Sequence, residues 1–85
     1  MASYNLHIKP AAIKELEAIP KKDRGRVVAK IRALADHPRP AGCEKLSGRE
    51  EYRLRQGRYR IVYSVSDSDQ TVLIVKIAHR REAYR

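Results

Sequence analysis

The 85-residue sequence has a single cysteine, Cys43, and this scarcity excludes a disulfide within the chain. We expect a small, buried or half-buried thiol in a reducing compartment. A bound metal would need several ligands, and Cys43 shows no ligand-like spacing with the three histidines, which are His7, His37 and His79. The sequence therefore predicts neither a metal site nor a disulfide framework.

Long hydrophobic segments are also absent. No apolar run approaches the ~20 residues that a membrane-spanning helix needs, and the N-terminal segment MASYNLHIKP lacks the apolar stretch of a signal peptide. Repeats, linkers and low-complexity segments are missing as well. We therefore expect one cytoplasmic domain over residues 1–85, with no membrane partner and no room for a large cofactor.

Acidic residues are few, because 10 Asp and Glu stand against 19 Lys and Arg and leave a formal net charge of +9. So large an excess of one sign destabilises a small folded chain by self-repulsion, and it indicates a polyanionic partner. Nucleic acid is the first candidate, an acidic protein the second and a membrane surface the third.

The hydrophobic pattern predicts a compact α+β fold of order β-α-α-β-β-β. A helical hairpin is expected on one face of a largely antiparallel four-stranded sheet, whose other face stays open. Strands are predicted over 3–8, 51–55, 58–66 and 71–80, helices over 10–19 and 21–35, and a loop over 41–50 that Leu46 anchors. The nearly continuous apolar run from Val72 to Ile77 is typical of a central strand. For the cations of the second helix, Arg24, Arg26, Lys30 and Arg32, a solvated face is favoured over an RNA-contacting one.

Arginine is concentrated between residues 51 and 63. If residues 56 and 57 form a two-residue turn, side-chain alternation puts four arginines on one face of a hairpin. The expected pairs are Arg55 with Arg58 and Arg53 with Arg60, with Leu54 opposite Tyr59 and Tyr52 opposite Ile61 on the other face. Like charges across a strand pair are destabilising, whereas guanidinium groups bind phosphate bidentately. The pattern favours an anion-binding surface over a charged edge hairpin.

The run LSGREEYRLRQGRYRIVY over residues 46–63, followed by VKIAHRREAY over 75–84, resembles the RelE branch of the RelE/ParE toxin superfamily. The resemblance covers essentially the whole chain, including the helical hairpin. It implies a toxin of a type II toxin–antitoxin module that cleaves mRNA, typically on the ribosome. It also implies an antitoxin whose segment wraps around the toxin and silences it.

The resemblance implies catalytic positions at Arg53, Arg55, Arg60, Arg80 and Tyr84, and we add Arg49, Arg58, Lys76 and Arg81 as RNA-binding candidates. Lys76 and Arg80 share a face with Arg60 only if the last hairpin has a favourable register. The best-known family pattern has lysine at positions 53 and 55. Arginine keeps its proton at accessible pH, so those two residues can neutralise phosphate but cannot act as a base.

The expected reaction is attack of a ribose 2′-OH on the adjacent phosphate, giving a 2′,3′-cyclic phosphate and a 5′-OH without metal or cofactor. Arg60 is expected to stabilise the transition state, Arg53 and Arg55 to hold the backbone, and Arg80 to stabilise the leaving group. Tyr84 could act as a base, because nearby guanidinium groups lower a tyrosine pKa, or could stack on a nucleobase. His79 is a weaker candidate, because by alternation it points away from Arg80. No acid–base pair is obvious, so the ribosome is expected to supply positioning or a catalytic group.

Two other functions remain open at this point, and an inactive, degenerate toxin is a further alternative because arginine stands in place of lysine at positions 53 and 55. A ParE-like inhibitor of DNA gyrase would share the fold but would lack most of the set formed by Arg60, Arg80 and Tyr84. A non-catalytic RNA- or operator-binding module would need only the arginines. In each toxin reading, the positive face predicts an antitoxin with an acidic, partly disordered segment that folds on binding.

Overall fold

The computed structural model describes residues 3–46 and 50–79. Within these ranges, seven elements follow in chain order. They are β1 (Asn5–Ile8), α1 (Pro10–Glu17), α2 (Lys21–Ala33), β2 (Glu44–Lys45), β3 (Glu51–Gln56), β4 (Tyr59–Ser66) and β5 (Thr71–His79). The α+β class and the helical hairpin are confirmed. No helix in the described ranges is both long and apolar enough to cross a membrane.

Prolines set the limits of the helical hairpin. Pro10 opens α1 at its first helical position, where the missing N–H costs nothing. Pro20 is the N-cap of α2 and leaves only residues 18–20 between the helices. The helices turn Ala12, Val27 and Ile31 toward the sheet, and all three side chains are buried.

The strands form one sheet of order β1-β5-β4-β3-β2, in which β1 runs parallel to β5 and the remaining pairs are antiparallel. The sheet of the described residues has five strands rather than the predicted four, because Glu44 and Lys45 pair with Arg53 and Tyr52. Two exposed polar residues carry no periodic signal, so the sequence predicts only a loop there.

Strand β5 has a neighbour on each side, as predicted for a central strand. Its burial nevertheless alternates, since Val72 and Ile74 are buried while Leu73 and Val75 are half-buried. One sheet face packs against the helices and the other is only partly shielded.

The core lies between the helices and the covered face of the sheet. Its largest fully buried side chains include Tyr63, Ile31 and Ile74. In the predicted loop Cys43 is half-buried and packs against this core, while Leu46 is half-buried.

Candidate functional site

The β3–β4 hairpin differs from the sequence prediction in its register. Gln56 pairs with Tyr59, so the two-residue turn is Gly57-Arg58 rather than Gln56-Gly57. Gly57 has φ of +59°, and a tight hairpin with positive φ at its first turn position favours glycine there. The predicted turn was therefore one residue too early.

Every predicted cross-strand pair changes as a result. Arg55 lies opposite Arg60 and Arg53 lies opposite Val62, while Leu54 and Tyr52 pair with Ile61 and Tyr63. Each partner has moved by two residues. Because side chains alternate with a period of two, the face assignments survive this shift.

Arg53, Arg55 and Arg60 share the face of the sheet that the helices do not cover, and we call it the arginine face. Arg58 is the exception, because it occupies the exposed turn and not the strand where the sequence prediction put it.

The arginine face is organised in two rows across the strands. One row runs Glu44, Arg53, Val62 and Lys76, and the next runs Arg55, Arg60 and Ala78. A register irregularity between Val62 and Tyr63 leaves Val75 without a pair and returns Lys76 to this face. The favourable register on which the prediction for Lys76 depended is therefore present.

Arg60 is the central cation of this face and the most deeply placed. It is only 4% exposed, which makes it the buried charged residue of the described core. Arg55 beside it is exposed and Arg53 is half-buried. A guanidinium held in a surrounding of lower dielectric constant acts more strongly on a nearby anion than one in water.

Arg53 has hydrogen-bonding capacity that the described residues do not use. Its Nη2 donates to Glu44 Oε1 at 3.4 Å, which is a long and exposed contact. Its buried Nε has no hydrogen-bond partner in the described ranges. A buried donor without an acceptor is costly, so this nitrogen is well suited to an incoming anion.

Lys76 is held away from the centre of the arginine face. Its Nζ donates to Glu15 Oε2 of α1 at 2.8 Å, and Glu15 Oε1 accepts the N–H of Ile77 at 2.9 Å. The sequence does not reveal Glu15 or Glu44 as partners, because neither carboxylate lies near its arginine or lysine partner in the chain and no motif marks them.

His79 pairs with Tyr59 and shares the covered face with it, so it lies on the side of the sheet away from Arg60. The two rings meet edge to face with centroids 5.4 Å apart. Arg49, Arg80, Arg81 and Tyr84 lie outside the described residues. Within them, no group of three or more His, Cys, Asp or Glu side chains could hold a metal ion.

A separate polar cluster joins the loop after α2 to the β4–β5 turn. Arg39 donates to both carboxylate oxygens of Asp67, at 3.1 and 2.9 Å, and Tyr4 donates to Asp67 Oδ1 at 2.6 Å. The Arg39 hydrogen bonds, and next the Tyr4 bond, lower the pKa of Asp67. The hydrogen bond between Tyr4 and Asp67 raises the pKa of Tyr4. Burial raises the pKa of Tyr63. This cluster binds the chain segments together and lies outside the arginine face.

Comparison with known proteins identifies the family. The family model described as the ParE toxin of the type II toxin–antitoxin system parDE matches residues 6–84. The chain belongs to this toxin family. The toxin is 30% identical to a putative toxin RelE1 of Methanocaldococcus jannaschii, over 96% of each chain.

Solved structures place the toxin in the RelE fold. The toxin–antitoxin complex RelBE2 of Mycobacterium tuberculosis matches it with a TM-score of 0.81 and 25% identity, covering 92% of this toxin and 99% of that chain. The RelE–RelB complex of Pyrococcus horikoshii matches with a TM-score of 0.80 and 28% identity, covering 92% and 96%. The predicted membership of the RelE/ParE superfamily is confirmed.

Proposed function

We propose that this toxin is an mRNA endonuclease that inhibits translation by cutting mRNA on the ribosome in the cytoplasm. The observation that supports this most is the position of Arg60, a buried guanidinium on the arginine face with Arg55 opposite it on β3 and Arg53 two residues from Arg55 on the same strand. A cluster of like charges destabilises the sheet in the free protein. A phosphodiester bound there turns the same cluster into a stabilising set of contacts.

Arg60 stabilises the transition state in this mechanism. When the 2′-OH attacks the neighbouring phosphorus, the phosphate passes through a five-coordinate arrangement with additional negative charge on its nonbridging oxygens. The Arg60 fork donates two N–H groups to those oxygens. A preorganised donor of this kind typically contributes a factor of ~10²–10³ in rate.

Arg53 and Arg55 hold the RNA backbone next to the scissile phosphate. Arg53 exchanges its long contact with Glu44 for a phosphate oxygen, and its buried Nε gains an acceptor. Both residues keep their charge, so they neutralise phosphate and favour ionisation of the 2′-OH without removing its proton themselves.

The proton transfers involve groups beyond this face. Arg80 stabilises the departing 5′ oxygen, and Tyr84 either accepts the 2′ proton or stacks on a base. Arg49, Arg58, Lys76 and Arg81 add contacts to RNA. The described cations supply charge but no proton acceptor, and ribosomal RNA positions the substrate and completes the acid–base chemistry.

Translation of a reporter mRNA with purified toxin tests this proposal, with cut sites mapped by primer extension. Arg60→Ala is compared with Lys14→Ala, which removes one positive charge from an exposed position of α1. We expect ribosome-dependent cuts with wild type and Lys14→Ala, and a rate about 10²–10³ lower with Arg60→Ala.

Other outcomes overturn parts of the proposal. Blocked translation without any cut would identify a non-catalytic RNA-binding toxin. Inhibition of DNA gyrase without an effect on mRNA would identify a ParE-like activity. Equally fast cutting of naked RNA would remove the ribosome from the mechanism.

We further propose that the toxin binds an acidic, extended segment of its cognate antitoxin. A groove of about 370 Å³ between α2 and β3 has Ala33, Leu34 and Leu54 among its lining residues. Lys30 is exposed and lines both this groove and a neighbouring cleft, and the exposed Arg26 lines the neighbouring cleft. Residues 54–56 of β3 extend beyond β2 and have no strand partner on that side within the described ranges.

Ala33→Trp tests this binding surface, because the indole fills the groove far from the arginine face. Toxin is co-expressed with the antitoxin of its own operon, and complex formation is measured by titration of the purified chains. We expect Ala33→Trp to cut mRNA like wild type and to bind antitoxin at least about 10-fold more weakly. Unchanged affinity would place the antitoxin elsewhere.

A further inference from the structure

The pairing of β5 with β1 stops well before β5 ends. Ile8 is the last residue of β1 in register, opposite Ile74, and Lys9 N donates to Ile74 O at 3.0 Å. β5 continues to His79. Along this side of the strand, the backbone N–H of Ile77 therefore needs an acceptor that β1 does not supply.

Glu15 supplies that acceptor from the helix that follows β1. Its Oε1 accepts the Ile77 N–H at 2.9 Å, 62 positions away in the chain. Its Oε2 accepts from Lys76 Nζ at 2.8 Å. The Glu15 side chain is 28% exposed, so both contacts are partly shielded from water. One carboxylate thus replaces a strand partner for β5.

This contact lies next to an interruption in the pairing of β4 with β5. The irregularity between Val62 and Tyr63 interrupts the ladder, which resumes with Lys76 opposite Val62. Ile77 then pairs with Ile61, and Ala78 pairs with Arg60. Glu15 therefore binds β5 within one residue of the backbone that pairs with Arg60.

We propose that Glu15 is a positioning residue for RNA cleavage, which acts through the end of β5 and does not touch the substrate. By fixing Ile77 and Lys76, it holds Ala78 against Arg60 and fixes the depth of the Arg60 guanidinium on the arginine face. It also draws the Lys76 ammonium toward the edge of the sheet, which leaves the centre of the face to the arginines. This inference rests on the proposed nuclease function.

Three variants test the proposal. Glu15→Ala removes both contacts, and Glu15→Gln keeps a carbonyl oxygen that accepts the Ile77 N–H. Glu17→Ala is the matched control, because it removes one negative charge from an exposed position of the same helix. Steady-state cleavage on programmed ribosomes gives kcat and KM for each variant, well below the Tm of the least stable one. Amide hydrogen exchange is measured for Ile77 and Ala78 and, as a reference, for Val72.

We expect Glu15→Ala to lower kcat by about 10-fold to 100-fold with KM within about 3-fold, since small displacements of a catalytic group have effects of this size. Exchange of the Ile77 amide is expected to rise about 10-fold or more while that of Val72 stays unchanged. Glu15→Gln restores most of kcat, and Glu17→Ala behaves as wild type.

Two results would overturn the inference. Equal kcat for Glu15→Ala and Glu17→Ala would show that Glu15 does not position the site. Equal acceleration of exchange at Ile77 and Val72 would show that Glu15 only stabilises the whole fold. Failure of the proposed nuclease function is distinguishable, because wild type and Glu17→Ala would then make no cuts either.

Discussion

Arg60 lies directly opposite Arg55 across the β3–β4 ladder, and only Arg55 is exposed to solvent. Arg60 is 4% exposed, with Ile61 and Tyr59 beside it in the strand and Ala78 opposite it on β5. Two guanidinium groups in a cross-strand pair repel each other, and one of them also gives up hydration. Both the repulsion and the lost hydration oppose folding of the free protein.

Arg60→Met should therefore uncouple stability from activity. Methionine fills a similar volume without a charge, so relief of the repulsion by Arg55 offsets the contacts that the guanidinium loses, and the free energy of unfolding is expected to stay within about 1 kcal/mol of wild type. Cleavage is expected to fall by about 10²–10³. Urea unfolding and the primer-extension assay measure the two quantities.

Ile61→Ala serves as the comparison for this variant, because Ile61 is fully buried on the other face of the same strand. It should destabilise the toxin by about 2–5 kcal/mol. A large loss of stability in Arg60→Met would mean that Arg60 is a structural cation and not a residue that stabilises the transition state.

Salt dependence separates the arginines that contact phosphate from the rest of the positive charge. Arg53→Ala and Arg55→Ala are each expected to make the slope of log K against log [salt] less negative by about 0.7, the contribution of one phosphate contact on a single strand. Lys14→Ala should leave the slope unchanged. Fluorescence anisotropy of a labelled RNA at several salt concentrations gives these slopes. A slope that no single arginine alters would contradict direct phosphate contacts on this face.

Glu44→Gln should tighten RNA binding slightly. The Glu44 carboxylate accepts a hydrogen bond from Arg53 Nη2 at 3.4 Å in an exposed position, and such ion pairs contribute at most about 1 kcal/mol to stability. We expect an affinity gain of about 2-fold to 5-fold, measured by the same anisotropy titration. In an Arg53→Ala background the gain should disappear, and a gain that persists there would assign the effect to long-range charge alone.

Asp67 gives the toxin a specific sensitivity to acid. Its pKa is lowered in the folded state, mainly by the Arg39 hydrogen bonds. The stabilisation is therefore present above the ordinary Asp pKa of 3.8 and is lost as pH falls through the lower folded-state value. Wild type should lose stability more steeply than Asp67→Asn below about pH 4, and Asp67→Asn should be less stable at pH 7.

Urea unfolding at several pH values measures this difference. Asp36→Asn is the control, since Asp36 is exposed and lies outside the cluster. Parallel pH profiles for wild type and Asp67→Asn would show that the bond between Arg39 and Asp67 does not contribute to folding.

The sequence predicted most of the fold and the shared face of Arg53, Arg55 and Arg60 because period-two alternation survives an error in the turn. Placing the turn at Gln56-Gly57 instead of Gly57-Arg58 moved every partner by two residues, which changes neighbours but not faces. The same one-residue error assigned Arg58 to the strand. Arg58 lies in the turn, where side chains do not alternate between the two faces of the sheet.

What the sequence could not predict depends on contacts between distant segments. Glu15 and Ile77 are 62 residues apart, and Arg39 and Asp67 are 28 apart. Neither pair leaves a local pattern. The depth of Arg60 was also hidden, because a charged residue at an open-face position reads as exposed until the neighbouring strands are known.

The sheet order has a consequence for the synthesis of the toxin. β5, the last strand of the described residues, lies between β1 and β4. A nascent chain that ends near residue 70 has both helices and the β3–β4 hairpin, but β1 and β4 have no strand to join them and Arg60 has no Ala78 beside it. Folding of the sheet must wait for residues 71–79, because the strand that joins β1 to β4 consists of these residues. The ribosome that makes this protein must therefore translate residues 71–79 before the sheet that carries the arginine face is complete.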